Sequence, residues 1–111
     1  MTINIRTLDK TTILDLSGSF KAGEAEQAFR ATVGELLSAG VNNIAVNLAG
    51  VSFLDSSGVG SLVHTFTAVK ERGGQFKVFA ASKQVGQVLR MVRLDKVLGL
   101  AEDEAAALAS F

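Results

Sequence analysis

Residues 43–72 read NIAVNLAGVSFLDSSGVGSLVHTFTAVKER, and their order of patterns sets the fold class. Ile44, Val46 and Leu48 alternate with Asn43, Ala45 and Asn47, the two-residue period of a strand. Gly50 to Asp55 reads as the loop leaving that strand. After Asp55-Ser56-Ser57-Gly58, the residues Val59, Leu62, Val63, Phe66 and Val69 recur at helical spacing, which predicts a helix to about Arg72 ended by Gly73-Gly74.

The flanks extend this strand-loop-helix unit in both directions. Upstream, Ile3 and Ile5 alternate with Thr2, Asn4 and Arg6, and Leu14 and Leu16 flank Asp15, so two short strands are expected on either side of an Asp9-Lys10 turn. Ala22 to Ala39 carries Phe29, Val33, Leu36 and Leu37 on one helical face and stops at Gly40. Downstream, Phe76 to Ala80 is a short apolar strand, and Val85, Val88, Leu89 and Val92 mark a third helix. Glu102-Asp103-Glu104 puts acids on the first turn of a last short helix, where the helix dipole favours them. The phenylalanines Phe29, Phe66, Phe76 and Phe79 are expected in the core. This order defines an α/β domain with a mixed sheet of four to five strands and about four helices. An N-terminal antiparallel pair is joined there to a largely parallel remainder. In such open sheets, functional groups gather beyond the carboxyl ends of the parallel strands, here in residues 49–58.

Length and composition narrow the function. A chain of 111 residues supports one core, read as a single domain over 1–111, with a folded surface of roughly 5,800 Å² by area scaling. Eleven basic residues balance eleven acidic ones, which leaves no cationic excess for sequence-independent nucleic-acid binding. The absence of cysteine removes thiolate metal sites and Cys nucleophiles and suits a reducing compartment, so the chain is read as cytoplasmic. A single histidine argues against a metal centre, and no apolar run reaches membrane-spanning length. Gly58-Val59-Gly60 has Val63 where a dinucleotide loop needs its third glycine, and the loop has no phosphate-gripping lysine, so a nucleotide-binding domain is the weaker rival. Ser57 lacks the frame of a hydrolase nucleophile, and the chain is read as no enzyme, with no cofactor. His64 falls on the helix flank, as a surface residue or a partner contact.

Asp55-Ser56-Ser57-Gly58 leaves two readings open from the residues alone. Ser, Asp and Gly are ordinary N-cap and turn residues; equally, a serine at a strand exit is a phosphorylation site whose phosphate faces a helix N-terminus.

The stretch Asn47-Leu48-Ala49-Gly50-Val51-Ser52-Phe53-Leu54-Asp55-Ser56-Ser57-Gly58-Val59-Gly60 resembles the signature of STAS domains of the bacterial anti-sigma factor antagonist type. Gly73-Gly74, the strand Phe76 to Ala80 and the helix beginning near Ser82 match the same family, so that the likeness covers about residues 3–100. It implies a partner-switching protein. The unphosphorylated form binds an anti-sigma factor serine kinase and frees a sigma factor, phosphorylation of Ser56 ends the binding, and a metal-dependent serine/threonine phosphatase resets the state. Asp55 would orient the Ser56 hydroxyl or aid recognition by the kinase. Ser57 would cap the helix, with a second reading as the phosphoacceptor. Gly58 and Gly60 would let a partner backbone approach or serve as turn residues. Phe20 and Phe53, beside loops, would anchor a partner or pack against the helix start. Relatives commonly carry an acid, an apolar residue and Asp after a glycine that follows the second strand, whereas this chain has Gly18-Ser19-Phe20-Lys21, a reversal of local charge that implies a differently specialised partner at Lys21 or a member used as an interaction scaffold. Val92-Arg93-Leu94 also departs, standing where many relatives have a small residue and Gly. The expected state is a monomer, with a weak dimer as the alternative. The runner-up function is a non-switching scaffold subunit of a stress-sensing assembly.

Overall fold

The computed structural model describes residues 1–111. Its elements are β1 (Thr2–Leu8), β2 (Thr11–Phe20), α1 (Glu24–Ser38), β3 (Asn43–Leu54), α2 (Ser56–Glu71), β4 (Gln75–Phe79), α3 (Lys83–Met91) and α4 (Glu104–Leu108). The sheet has four strands in the order β1-β2-β3-β4. β1 and β2 form an antiparallel hairpin turned at Asp9 (φ 55°), and β2-β3 and β3-β4 are parallel pairs. A fifth strand is reduced to a single bridge between Phe79 and Ala101. The α/β class and mixed sheet expected from the sequence are therefore present.

Alternation of side chains divides the core between the two faces of the sheet. Leu14, Leu16, Ile44, Val46 and Val78 point to one face, where Phe29, Val33 and Leu37 of α1, Leu62 and Val69 of α2, and Val85 and Leu89 of α3 cover them. Ile13, Ala45 and Phe79 point to the other, where Ala107 of α4 closes a smaller cluster. Phe20 and Phe29 pack with ring centroids 4.9 Å apart and planes tilted by 54°, which pins α1 to the end of β2. The accessible surface is 5923 Å². No helix is long and apolar enough to cross a membrane.

Two features differ from the sequence expectation. β3 continues through the predicted loop to Leu54, because its partner strand continues too: Ser17, Gly18, Ser19 and Phe20 pair with Gly50, Val51, Phe53 and Leu54. β3 gains one extra residue between Asn47 and Gly50 and another between Val51 and Phe53, and these bulges erase the alternation a strand would show. The buried face of α2 is Gly58, Ser61, Leu62, Thr65 and Val69, with Val59, Val63 and Phe66 only partly covered. Small side chains at three of those positions let the helix lie close to the sheet.

Candidate functional site

β3 delivers Asp55 to the junction with α2, where its extended backbone (φ −96°, ψ −176°) makes it the N-cap. One carboxylate oxygen accepts from the Gly58 N–H at 2.9 Å and the other from the Ala22 N–H at 3.0 Å, while the Asp55 N–H donates to the Phe20 carbonyl at 3.3 Å. Asp55 thus clasps the β2–α1 connection to the start of α2. These backbone donors, Gly58 first and Ala22 second, hold its carboxyl below the usual carboxylate range. The charge is fixed in place without any cation.

Ser56 follows as the first residue of α2 and is exposed; Ser57 is half-buried in the first turn. The expected cap at Ser57 is corrected, since the cap is Asp55. Side chains of all three residues can cap a helix, and the tie to Ala22 favours the aspartate. Ser56 stands where the free N–H groups of a sixteen-residue helix begin, beside an ionised carboxylate. An exposed hydroxyl on a rigid junction can accept a phosphoryl group without disturbing the fold.

The other expected site residues separate into surface and interior. Lys21, Gly60 and His64 are exposed. Gly60 has open space around it, with nothing within 4 Å of a built Cβ. Phe20 is fully buried, so its expected place at a partner surface is corrected. It continues the two-residue period of Leu14 and Leu16, a signal masked by Ser17-Gly18-Ser19. Gly58 is also buried: a Cβ there would lie 2.5 Å from the Phe20 carbonyl oxygen and 2.6 Å from a Leu54 methyl. Its glycine serves packing of α2 against β2 and β3, and a partner backbone cannot reach it.

Sequence reasoning missed a neighbouring groove. Ser52, Phe53 and Leu54 of β3 face Gln84, Val85 and Val88 of α3 across a cavity of about 320 Å³. Phe53 is 52% exposed beside it. The aromatic was legible in the sequence, but its opposition to α3 needed the fold. No group of three or more His, Asp or Glu side chains is arranged to hold a metal ion.

A mixed sheet with an N-terminal hairpin, and an exposed serine following a capping aspartate at the β3–α2 junction, define a STAS domain. The chain matches the STAS domain family over residues 2–107 and belongs to it. It is similar to the anti-sigma-B factor antagonist of Staphylococcus epidermidis, 29% identical over 63 residues, which are 57% of this chain and 58% of that protein. The chain spans 58 to 66% of the length of the curated relatives it matches. The fold is shared with the crystal structure of TM1081 from Thermotoga maritima, with a TM-score of 0.90 at 22% identity over 97% of this chain and 92% of that one. It is shared as well with the Bacillus cell fate determinant SpoIIAA in its phosphorylated form, with a TM-score of 0.76 at 21% identity over 99% of this chain and 100% of that one.

Proposed function

We propose that this protein is a phosphorylation-controlled partner switch. Its unphosphorylated form binds an anti-sigma factor that is itself a serine kinase and so releases a sigma factor. Phosphorylation of Ser56 ends that binding, and a serine/threonine phosphatase restores it. The observation that carries the reading is the placement of an exposed Ser56 directly after an aspartate whose charge is anchored by two backbone N–H groups. A phosphate there adds roughly −1.5 to −2 charges beside a carboxylate that cannot swing away. A partner surface fitted to the hydroxyl then meets a negative charge about two and a half to three times that of Asp55 alone, while α2, whose N-terminus favours negative charge, keeps its shape. The effect is a lost interface on an unchanged fold.

Gly60 and His64, one and two turns after Ser56 on α2, are exposed, as is Lys21, and the groove at Phe53 offers apolar area on the strand that leads into Asp55. Lys21 precedes the residue that bonds Asp55, so a cation stands on the same loop as the anchor. The existence of a phosphorylated form of SpoIIAA, which shares this fold, supports the assignment.

Intact-mass measurement on protein purified from its host, with peptide mapping, tests the chemistry: a species heavier by about 80 Da at Ser56 is expected. Titration against the cognate kinase tests the switch. Ser56→Ala should bind like the unmodified protein and Ser56→Asp at least about tenfold more weakly. Equal binding by the two variants would end the charge-switch reading.

A further inference from the structure

The two edges of the sheet are treated differently. Outside β4, the segment that follows α3 hydrogen-bonds to the strand: the Val78 N–H donates to the Leu98 carbonyl at 3.2 Å, the Ala101 N–H to Val78 at 3.0 Å and the Ala80 N–H to Ala101 at 3.1 Å. That edge is covered. β1, at the opposite edge, pairs with β2 alone, in an unbroken register from Thr2 opposite Ser17 to Leu8 opposite Thr11. Its outer row of N–H and C=O groups meets no other segment of the chain.

Exposed edges are ordinarily blunted by proline, lysine, a bulge or a covering loop. β1 has none of these. Its sequence TINIRTL carries one charge, Arg6, already engaged by Asp15 and Glu104 at 2.6 Å each. Ile5 and Leu8 on this strand are 51% and 47% exposed.

We propose that β1 pairs antiparallel with β1 of a second copy of this chain about a two-fold axis at Ile5, which joins the two sheets into one of eight strands. The strand is self-complementary in that register. Ile5 meets Ile5 of the other copy on the face shared with Leu14 and Leu16, Asn4 lies opposite Arg6, Ile3 opposite Thr7 and Thr2 opposite Leu8. All seven residues pair, and no like charges face each other. Sliding one residue so that Arg6 is the centre sets guanidinium against guanidinium, and sliding the other way leaves Leu8 unpaired. Because the β4 edge is already covered, association closes at two copies and does not continue into a fibre. The inference does not rest on the phosphorylation reading, since β1 contributes none of the groups around Ser56.

The test uses the full chain, which lacks cysteine and so accepts single thiols cleanly. Sedimentation from micromolar to millimolar concentration should show mass rising from 11.6 kDa toward twice that value. Ile5→Lys, at a half-exposed position that leaves the fold intact by circular dichroism, places like charges opposite each other and should raise the dissociation constant about tenfold. Under mild oxidation Ile5→Cys should form a disulfide-linked dimer, because antiparallel partners lie about 4.5–5.5 Å apart at Cα, within disulfide reach. Leu8→Cys, nearly as exposed, should not, since its mates would sit about 20 Å apart along the strands. A monomer at millimolar concentration, unchanged association of Ile5→Lys, or equal cross-linking of the two thiol variants would each overturn the proposal.

Discussion

Asp55 and Asp15 are both carboxylates held in the ionised form, one at the β3–α2 junction and one on the α4 face of the sheet, and they are held by opposite means. Asp55 is stabilised by the backbone N–H groups of Gly58 and Ala22, so its negative charge remains uncompensated at the surface. Asp15 is stabilised first by Arg6, whose guanidinium makes two bonds to it at 2.6 and 2.9 Å and reaches on to Glu104, with Asn47 adding a further donor at 2.8 Å. There one guanidinium bridges two carboxylates, and its effect is to fasten α4 over Ile13 and Ala45. Negative charge held by backbone donors alone stays open to solvent, whereas negative charge bridged by a shared cation ties two elements together.

The comparison breaks most sharply at Gly58. Gly58→Ala forces a methyl group into the Phe20 carbonyl and Leu54, displacing the N–H that anchors Asp55. It should cost about 2–3 kcal/mol, read as a lowered urea midpoint with unchanged slope. Arg6→Leu attacks the other carboxylate. With the arginine side chain 41% exposed, solvent screening limits the loss to about 1 kcal/mol near neutral pH. The same variant separates the two by pH. A carboxylate whose pKa is lowered by folding contributes stability that is complete well above its unfolded value near 3.8, and that is lost as pH falls through the folded value. In Arg6→Leu the acid limb below about pH 5 should be shallower than in the parent, and what remains should include the Asp55 contribution. A limb of undiminished steepness would mean that Arg6 does not set the Asp15 charge. The smallest effect is expected at Gly60, two residues from the first test. Gly60→Ala adds a methyl group in open space on an exposed helix face and should stabilise by about 0.5–1 kcal/mol, measurable as a raised thermal midpoint. Opposite signs for one substitution at neighbouring glycines would separate the interior wall of the site from its outer surface.

Most of the architecture was legible in the sequence because the helices and short strands keep their periods. Phe29, Val33 and Leu37 recur on one face of α1, and α3 begins near Ser82 as expected, where the structure adds that the Ser82 side chain caps it by accepting from the Val85 N–H at 3.2 Å. The misreadings cluster where a period is interrupted. The bulges of β3 break the alternation after Asn47, and Gly50, where a Cβ would lie 2.7 Å from the Leu16 carbonyl oxygen, reads as a loop residue when it marks close approach of two strands. Asp55, Ser56 and Ser57 are equivalent candidates for a cap until Ala22, 33 residues away, chooses among them. The bond between Arg6 and Glu104 joins residues 98 positions apart, a distance at which no local pattern carries information. The Asp-Ser-Ser-Gly stretch was recognisable; which of its members face water was not.

The bulges have a further consequence, for insertions and deletions. Over the span in which β2 advances from Asp15 to Phe20, β3 advances from Asn47 to Leu54, two residues more. Those two residues act as a spacer that sets how far Asp55 protrudes and which way it turns. Removing one would draw the aspartate back by about 3.3 Å and rotate it to the opposite side of the strand, out of reach of Ala22. Side chains such as Ser52 and Phe53 can be exchanged while the spacer keeps its length. A change of one residue in that length would uncouple Asp55 from α1 even if every remaining amino acid were kept.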